Sequence, residues 1–124
     1  MSRVFIVDDE PDVVNLLDTM FTFYGFDVDV ATDGRSALAG ILSNPPDVAI
    51  IDLMMPDIDG FELLRLLRAD PRSSGMPILI LSARTSAKDQ QETAELGANA
   101  YMCKPFSPRD LMRRVHQLVG EDRG

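Results

Sequence analysis

Two apolar patterns alternate along the whole chain. One is a short unbroken run: Val4-Phe5-Ile6-Val7, Val48-Ala49-Ile50-Ile51, Ile78-Leu79-Ile80-Leu81 and Ala100-Tyr101-Met102-Cys103, with an alternating stretch from Asp27 to Ala31 beside them. The other repeats at three- and four-residue intervals. Val13, Leu16, Leu17, Met20 and Phe21 mark a first helix that starts near Pro11, a favourable first helical residue, and ends at Gly25. Ala37, Leu38, Ile41 and Leu42 mark a second, stopped by Pro45-Pro46. A third follows Asp59-Gly60 with Phe61, Leu63, Leu64, Leu66 and Leu67, and stops before Pro71. A fourth runs from Ala87 to Leu96, before Gly97. A fifth runs from Pro108 to Val119, with Ser107 as N-cap and Leu111, Val115 and Leu118 facing inward. Strand and helix patterns in alternation predict an α/β fold, a parallel sheet with helices on both faces.

The polarity of the runs predicts their order. Runs 1, 3 and 4 are continuously apolar, as strands buried on both faces are. Run 2 alternates Asp27, Val28, Asp29, Val30, and run 5 carries Asn99 and Tyr101, so both read as edges. Of the two common doubly wound orders, only 2-1-3-4-5 puts strands 2 and 5 outside. The predicted fold is therefore a doubly wound, flavodoxin-like (βα)5 unit with a five-stranded parallel sheet. The fourth helix stands out: Lys88 to Thr93 is an unbroken polar run, anchored only by Ala87, Ala94 and Leu96. A weakly anchored helix belongs to the low-stability end of a domain, where switching elements are found.

Composition narrows the class. The 124 residues suffice for one domain with one core. A net charge of −8 repels phosphate backbones, so direct nucleic-acid binding by this domain is not expected. The single Cys, Cys103, allows no internal disulfide, fits a reducing compartment and is expected to be buried and inert. The first residues lead straight into a strand, leaving no stretch for a signal peptide, and no apolar segment nears the roughly 20 residues that span a bilayer. The expectation is a cytoplasmic domain over residues 1–119, away from membranes, with a short tail at 120–124 and no output domain in this chain.

The chemistry sits at one end of the predicted sheet. Strand 1 ends at Asp8-Asp9, strand 3 at Asp52, strand 4 at Ser82 and strand 5 at Lys104. The carboxyl edge of an open α/β sheet is where ligands bind. Clustered carboxylates repel one another unless a cation intervenes. Mg2+ takes hard oxygen ligands, and Asp8, Asp9, Asp52 and a backbone carbonyl such as that of Met54 provide them. The sequence has no His or Cys cluster of the kind that favours zinc. With a metal bound, one carboxylate can attack a phosphoryl donor, while Lys104 supplies a charge and Ser82 a hydroxyl for the phosphoryl oxygens. His116, among arginines, reads as a surface residue.

These stretches resemble the receiver domains of two-component response regulators, the CheY-like family. The resemblance rests on Val7-Asp8-Asp9-Glu10-Pro11, Asp52-Leu53-Met54-Met55-Pro56 followed by Asp59-Gly60, Leu81-Ser82-Ala83, Gly97-Ala98 and Lys104-Pro105-Phe106, in family order and spacing over nearly the whole chain. It implies that Asp52 is the phosphoacceptor and that Asp8 and Asp9 form the metal-binding pocket, with the Met54 carbonyl as a further Mg2+ ligand. Ser82 and Lys104 would bind the phosphoryl group, Ser82 and Tyr101 would act as switch residues, and the Lys104-Pro105 bond would be cis. The chain departs from the family in two places. Asp57 stands where Gly is frequent. Asn99-Ala100 replaces an acidic pair common in the subgroup with winged-helix outputs.

The resemblance implies a signalling switch that receives its phosphoryl group from a histidine kinase or phosphotransfer protein. It would present the surface of helix 4, strand 5 and helix 5 to an output domain or protein. It would catalyse its own phosphotransfer and autodephosphorylation without being an enzyme in the turnover sense. Arg109, Arg113 and Arg114 on helix 5, opposite Asp89, Glu92 and Glu95 on helix 4, suit a partner of complementary charge, with at most a weak homodimer. Three alternatives stand beside this. A Mg2+-dependent phosphatase of the haloacid-dehalogenase type would need two aspartates two residues apart after strand 1, unlike Asp8-Asp9. An FMN carrier of the same topology would meet phosphate repulsion there. The third is a receiver-like adaptor that is never phosphorylated.

Overall fold

The computed structural model describes residues 2–120. Five strands and five helices alternate: β1 (Arg3–Val7), α1 (Pro11–Phe23), β2 (Asp27–Ala31), α2 (Gly34–Ser43), β3 (Val48–Ile51), α3 (Gly60–Ala69), β4 (Ile78–Ser82), α4 (Ala87–Glu95), β5 (Ala100–Cys103) and α5 (Pro108–Val119). The strands form one parallel sheet in the order β2-β1-β3-β4-β5, as the polarity of the runs predicts. Of the expected tail, Gly120 closes α5 in the left-handed conformation (φ 74°) and the remainder lies outside the described residues.

The period of two along each strand divides the core into two layers. Phe5, Val7, Ala49, Ile51, Ile78 and Ile80 face α2 and α3, meeting Ala37, Ile41, Leu63, Leu64 and Leu67. Val4, Ile6, Val48, Ile50, Leu79 and Leu81 face α1 and α5, meeting Leu17, Phe21, Leu111, Met112 and Val115. Emptying one such position, as in Leu111→Ala, costs about 2–5 kcal/mol. Four of the five helices begin where a side chain accepts an otherwise unpaired amide, while α1 starts on Pro11 without a side-chain cap. Asp33 takes the Ser36 N–H, Asp59 that of Glu62, Ser86 those of Lys88 and Asp89, and Ser107 that of Asp110.

Four local expectations are corrected. In α1 the inward stripe is Val14, Leu17 and Phe21, while Leu16 is 55% exposed. In α4, Ala87 and Ala94 are exposed, Leu96 alone of the expected anchors packs against the core, and the buried residues of the helix are polar, Asp89 and Thr93. Asp89 meets Arg84, and the Thr93 hydroxyl donates back to the Asp89 and Gln90 carbonyls. These residues reach the interior because each polar atom keeps a partner there. Finally, Cys103 and His116 are both half-buried, the His116 ring stacking on Phe26 with centroids 5.7 Å apart.

Candidate functional site

The carboxyl edge of the sheet is held in register one residue beyond the strands. The Asp8 N–H donates to the Ala31 carbonyl (3.2 Å), that of Asp52 to Val7 (2.9 Å) and that of Lys104 to Ser82 (2.8 Å). Each bond continues a parallel ladder and fixes the direction of the side chain that follows. The parallel order thereby brings Asp8, Asp52 and Lys104 together from positions far apart in the chain.

Lys104 is the hub. Its Nζ donates to Asp8 Oδ2 at 2.7 Å, to Asp52 Oδ2 at 3.1 Å and, more weakly, to Glu10 Oε1 at 3.5 Å. The other oxygens are held by backbone: Asp8 Oδ1 accepts from the Glu10 N–H (2.9 Å) and Asp52 Oδ1 from the Met54 N–H (3.2 Å). Asp8 and Asp52 are only 2% and 4% exposed. Burial pushes the Asp8 carboxyl above its usual range. The Lys104 ammonium and the Glu10 amide pull against that rise, and the Asp52 charge adds to it. Burial alone would lower the Lys104 ammonium, but its bond to Asp8 and the charges of Asp52 and Asp8 outweigh that and raise it. One cation therefore serves more anionic charge than it can neutralise.

Carboxylate oxygens of Asp8, Glu10 and Asp52 all lie within 4.8 Å of one another. Glu10 is the member the sequence reading left out. Its only signal in the sequence is its place after Asp8-Asp9, and the turn that follows β1 brings it within reach of Lys104. Asp9 is exposed and belongs to no such group among the described residues. The donor set is hard oxygen throughout, which fits Mg2+, and its excess negative charge fits any divalent cation.

Ser82 is fully buried at the end of β4, its Oγ accepting the Arg84 N–H at 3.2 Å. The Arg84 carbonyl accepts the Tyr101 hydroxyl at 2.8 Å, and burial raises that phenol above its usual value. The Arg84 guanidinium grips Asp89 of α4 at 2.7 and 3.1 Å and lies 5.8 Å from the Phe61 ring centre. Its Nη1 comes 3.5 Å from Met54 Sδ on the rim. Asp89 is thus not part of an exposed acidic face. Arg84 had no signal in the sequence beyond its place two residues after Ser82. The Lys104-Pro105 bond is cis, as the resemblance implies.

A parallel 2-1-3-4-5 sheet with acidic residues after β1 and β3 and a lysine after β5 is the architecture of a signalling receiver, and the chain belongs to the response regulator receiver domain family, whose model matches residues 4–116. It is 42% identical to the transcriptional regulatory protein TrcR of Mycobacterium tuberculosis over 117 residues, 94% of this chain and 45% of that one. The chain spans about half the length of the curated relatives it matches. Among solved structures, chemotaxis protein CheY4 of Vibrio cholerae superposes with a TM-score of 0.90 at 33% identity, covering 95% of this chain and 98% of that one. The receiver domain of the sensor histidine kinase PA1611 of Pseudomonas aeruginosa, with a magnesium ion coordinated in its active-site cleft, gives a TM-score of 0.89 at 26% identity, covering 96% and 98%. Membership of this family sets aside the haloacid-dehalogenase and FMN-carrier alternatives. Among the described residues no helix is long and apolar enough to cross a membrane.

Proposed function

We propose that residues 1–119 form a phosphorylation-dependent switch in which Asp52 accepts a phosphoryl group from a histidine kinase or phosphotransfer protein. The observation that carries this reading is the single ammonium of Lys104 shared between two buried carboxylates, Asp8 and Asp52. A buried, under-neutralised carboxylate pair is costly, and a fold that keeps one at a ligand-binding edge favours use over an inert adaptor.

In this reading a carboxylate oxygen of Asp52 attacks phosphorus in line with the donor's P–N bond. The new O–P bond forms as the P–N bond breaks, and the donor imidazole leaves with the electron pair. Asp8, Asp9, Asp52 and the Met54 carbonyl would hold Mg2+, which supplies charge neutralisation for the transferring phosphoryl oxygens. Lys104 turns from Asp52 to a phosphoryl oxygen, and the Ser82 hydroxyl donates to another. Water later cleaves the acyl phosphate, so the domain acts on itself.

Readout follows the bonds around Arg84. Drawing Ser82 toward a phosphoryl group loosens its hold on the Arg84 amide. Arg84 in turn holds Tyr101 through its carbonyl and α4 through Asp89. The α4-β5-α5 face, with Arg113 and Arg114 bordering a cleft of about 370 Å³, then presents itself to an acidic output domain or protein, in the cytoplasm, with at most weak self-association. Beryllofluoride with Mg2+ tests this by NMR. Amide shifts should spread from Asp52 to Arg84, α4 and Tyr101, and shifts confined to residues around Asp52 would refute the switch.

A further inference from the structure

The loop that follows Asp52 is fastened to a helix that the site chemistry does not use. Asp57 Oδ1 accepts the Gly34 N–H at 2.8 Å, and its Oδ2 accepts the Arg35 N–H at 3.0 Å. These are the first two amides of α2, which have no partner inside their own helix. The N-cap residue Asp33 leaves them free, because its carboxylate takes the amide and hydroxyl of Ser36. Two acidic residues thus divide one helix start between them, and one of them comes from across the domain.

The contact is close on both sides. A Cβ on Gly34 would stand 2.4 Å from the Ile58 carbonyl oxygen, so only glycine lets the loop lie against α2. The far end of the loop is pinned by the Gly60 N–H on the Leu53 carbonyl at 3.0 Å. A Cβ on Gly60 would lie 2.6 Å from both the Asp52 carbonyl oxygen and the Leu53 Cα. Between the two fastenings lie Met54, whose N–H reaches Asp52 Oδ1, then Met55 and Pro56. The Arg35 guanidinium, 80% exposed and 3.9 Å from Asp57, adds little.

We propose that Asp57 is a positioning residue for the phosphoacceptor site: clamped on the first two amides of α2, it sets the path of the 53–59 loop and hence the backbone at Met54 beside Asp52. The proposal rests on the phosphoacceptor reading above for its consequence, and on the clamp geometry for its cause. It assigns a role to a residue at which this chain departs from the glycine frequent in its family. A cap that merely stabilised α2 would act on the helix alone, whereas a clamp acts on the loop.

Asp33→Ala separates the two, since it unpairs the same helix start without touching the loop. The variants Asp57→Ala, Asp57→Asn and Asp33→Ala are compared with the wild type by amide hydrogen exchange, Mg2+ titration calorimetry and acetyl phosphate labelling followed by intact mass. Asp57→Ala should speed exchange at Met54 and Met55 and weaken Mg2+ binding by about tenfold, the scale for outer partners of a metal ligand. Labelling should fall at low Mg2+ and recover at saturation. Asp57→Asn keeps an accepting oxygen and should fall between, and it carries the comparison if Asp57→Ala does not fold. Asp33→Ala should keep wild-type Mg2+ affinity and wild-type exchange at Met54. Equal effects of Asp33→Ala and Asp57→Ala, or unchanged Mg2+ affinity in Asp57→Ala, would overturn the proposal. A wild type that neither binds Mg2+ nor takes label would instead refute the phosphoacceptor reading, and exchange at Met54 and Met55 would still decide whether Asp57 holds the loop.

Discussion

Replacing Lys104 by Met keeps the side chain out to Cε and removes the only ammonium at the site among the described residues. Asp8 and Asp52, with side chains 3% and 5% exposed, then face each other without the cation that stood 2.7 and 3.1 Å from them. Removing one partner of a buried ion pair costs about 3–5 kcal/mol. Glu10, 63% exposed, marks a side on which water can enter, so the lower figure applies, about 3 kcal/mol or roughly 10 °C in Tm for a domain of this size. A divalent cation restores the missing charge and more. Lys104→Met should therefore be strongly destabilised without metal and much less so in saturating Mg2+, and it should bind Mg2+ at least as tightly as the wild type. Urea unfolding with and without Mg2+ measures the gap directly, and adding Asp8→Asn should return part of the lost stability through a non-additive cycle. A metal-free Lys104→Met as stable as wild type would refute the electrostatic account of the site. So would a gap that Mg2+ leaves unchanged.

Further outcomes follow from the same geometry. Asp9→Ala should weaken Mg2+ binding more than Glu10→Gln in titration calorimetry; the reverse order would give the ligand role to Glu10, the residue already beside Asp8 and Asp52. Arg84→Ala leaves Asp89 buried without its cation and should cost about 2 kcal/mol, as hydrogen bonds to a charged group do, with Asp89→Asn abolishing most of that penalty in urea unfolding. Asp57 is pushed up by partial burial, but the amides of Ile58, Gly34, Arg35 and its own outweigh this and hold it at about 2 rather than the usual 3.8. Its contribution to stability is complete above pH 3.8 and lost as pH falls toward about 2, so the stability gap between wild type and Asp57→Asn should close over that interval. A gap that widens on acidification would reverse the sign of the argument.

Strand order was readable because polarity reports burial: Asp27 and Asp29 can only sit on an edge, and Ile78 to Leu81 only in the middle. The site residues at strand ends were readable for the same reason, since an apolar run that stops at Asp52 or Ser82 leaves that side chain at the sheet's rim. What stayed hidden depends on pairing across the fold. Asp89 and Thr93 look solvated in a polar stretch, yet Arg84 and the backbone of α4 satisfy them inside. Leu16 fits a helical stripe as well as Val14 does, and only the face that α1 turns to the sheet exposes one and buries the other. Glu10 and Asp57 are acidic residues in loops, and their partners Lys104 and Gly34 are 94 and 23 residues away.

The central claim is that Asp52 takes the phosphoryl group, and incubation with acetyl phosphate and Mg2+ followed by intact and peptide-level mass measurement tests it most directly. The expected result is a gain of one phosphoryl group located at Asp52, dependent on Mg2+ and absent from Asp52→Asn. A gain that persists in Asp52→Asn, or that maps to another residue in the wild type, would contradict it.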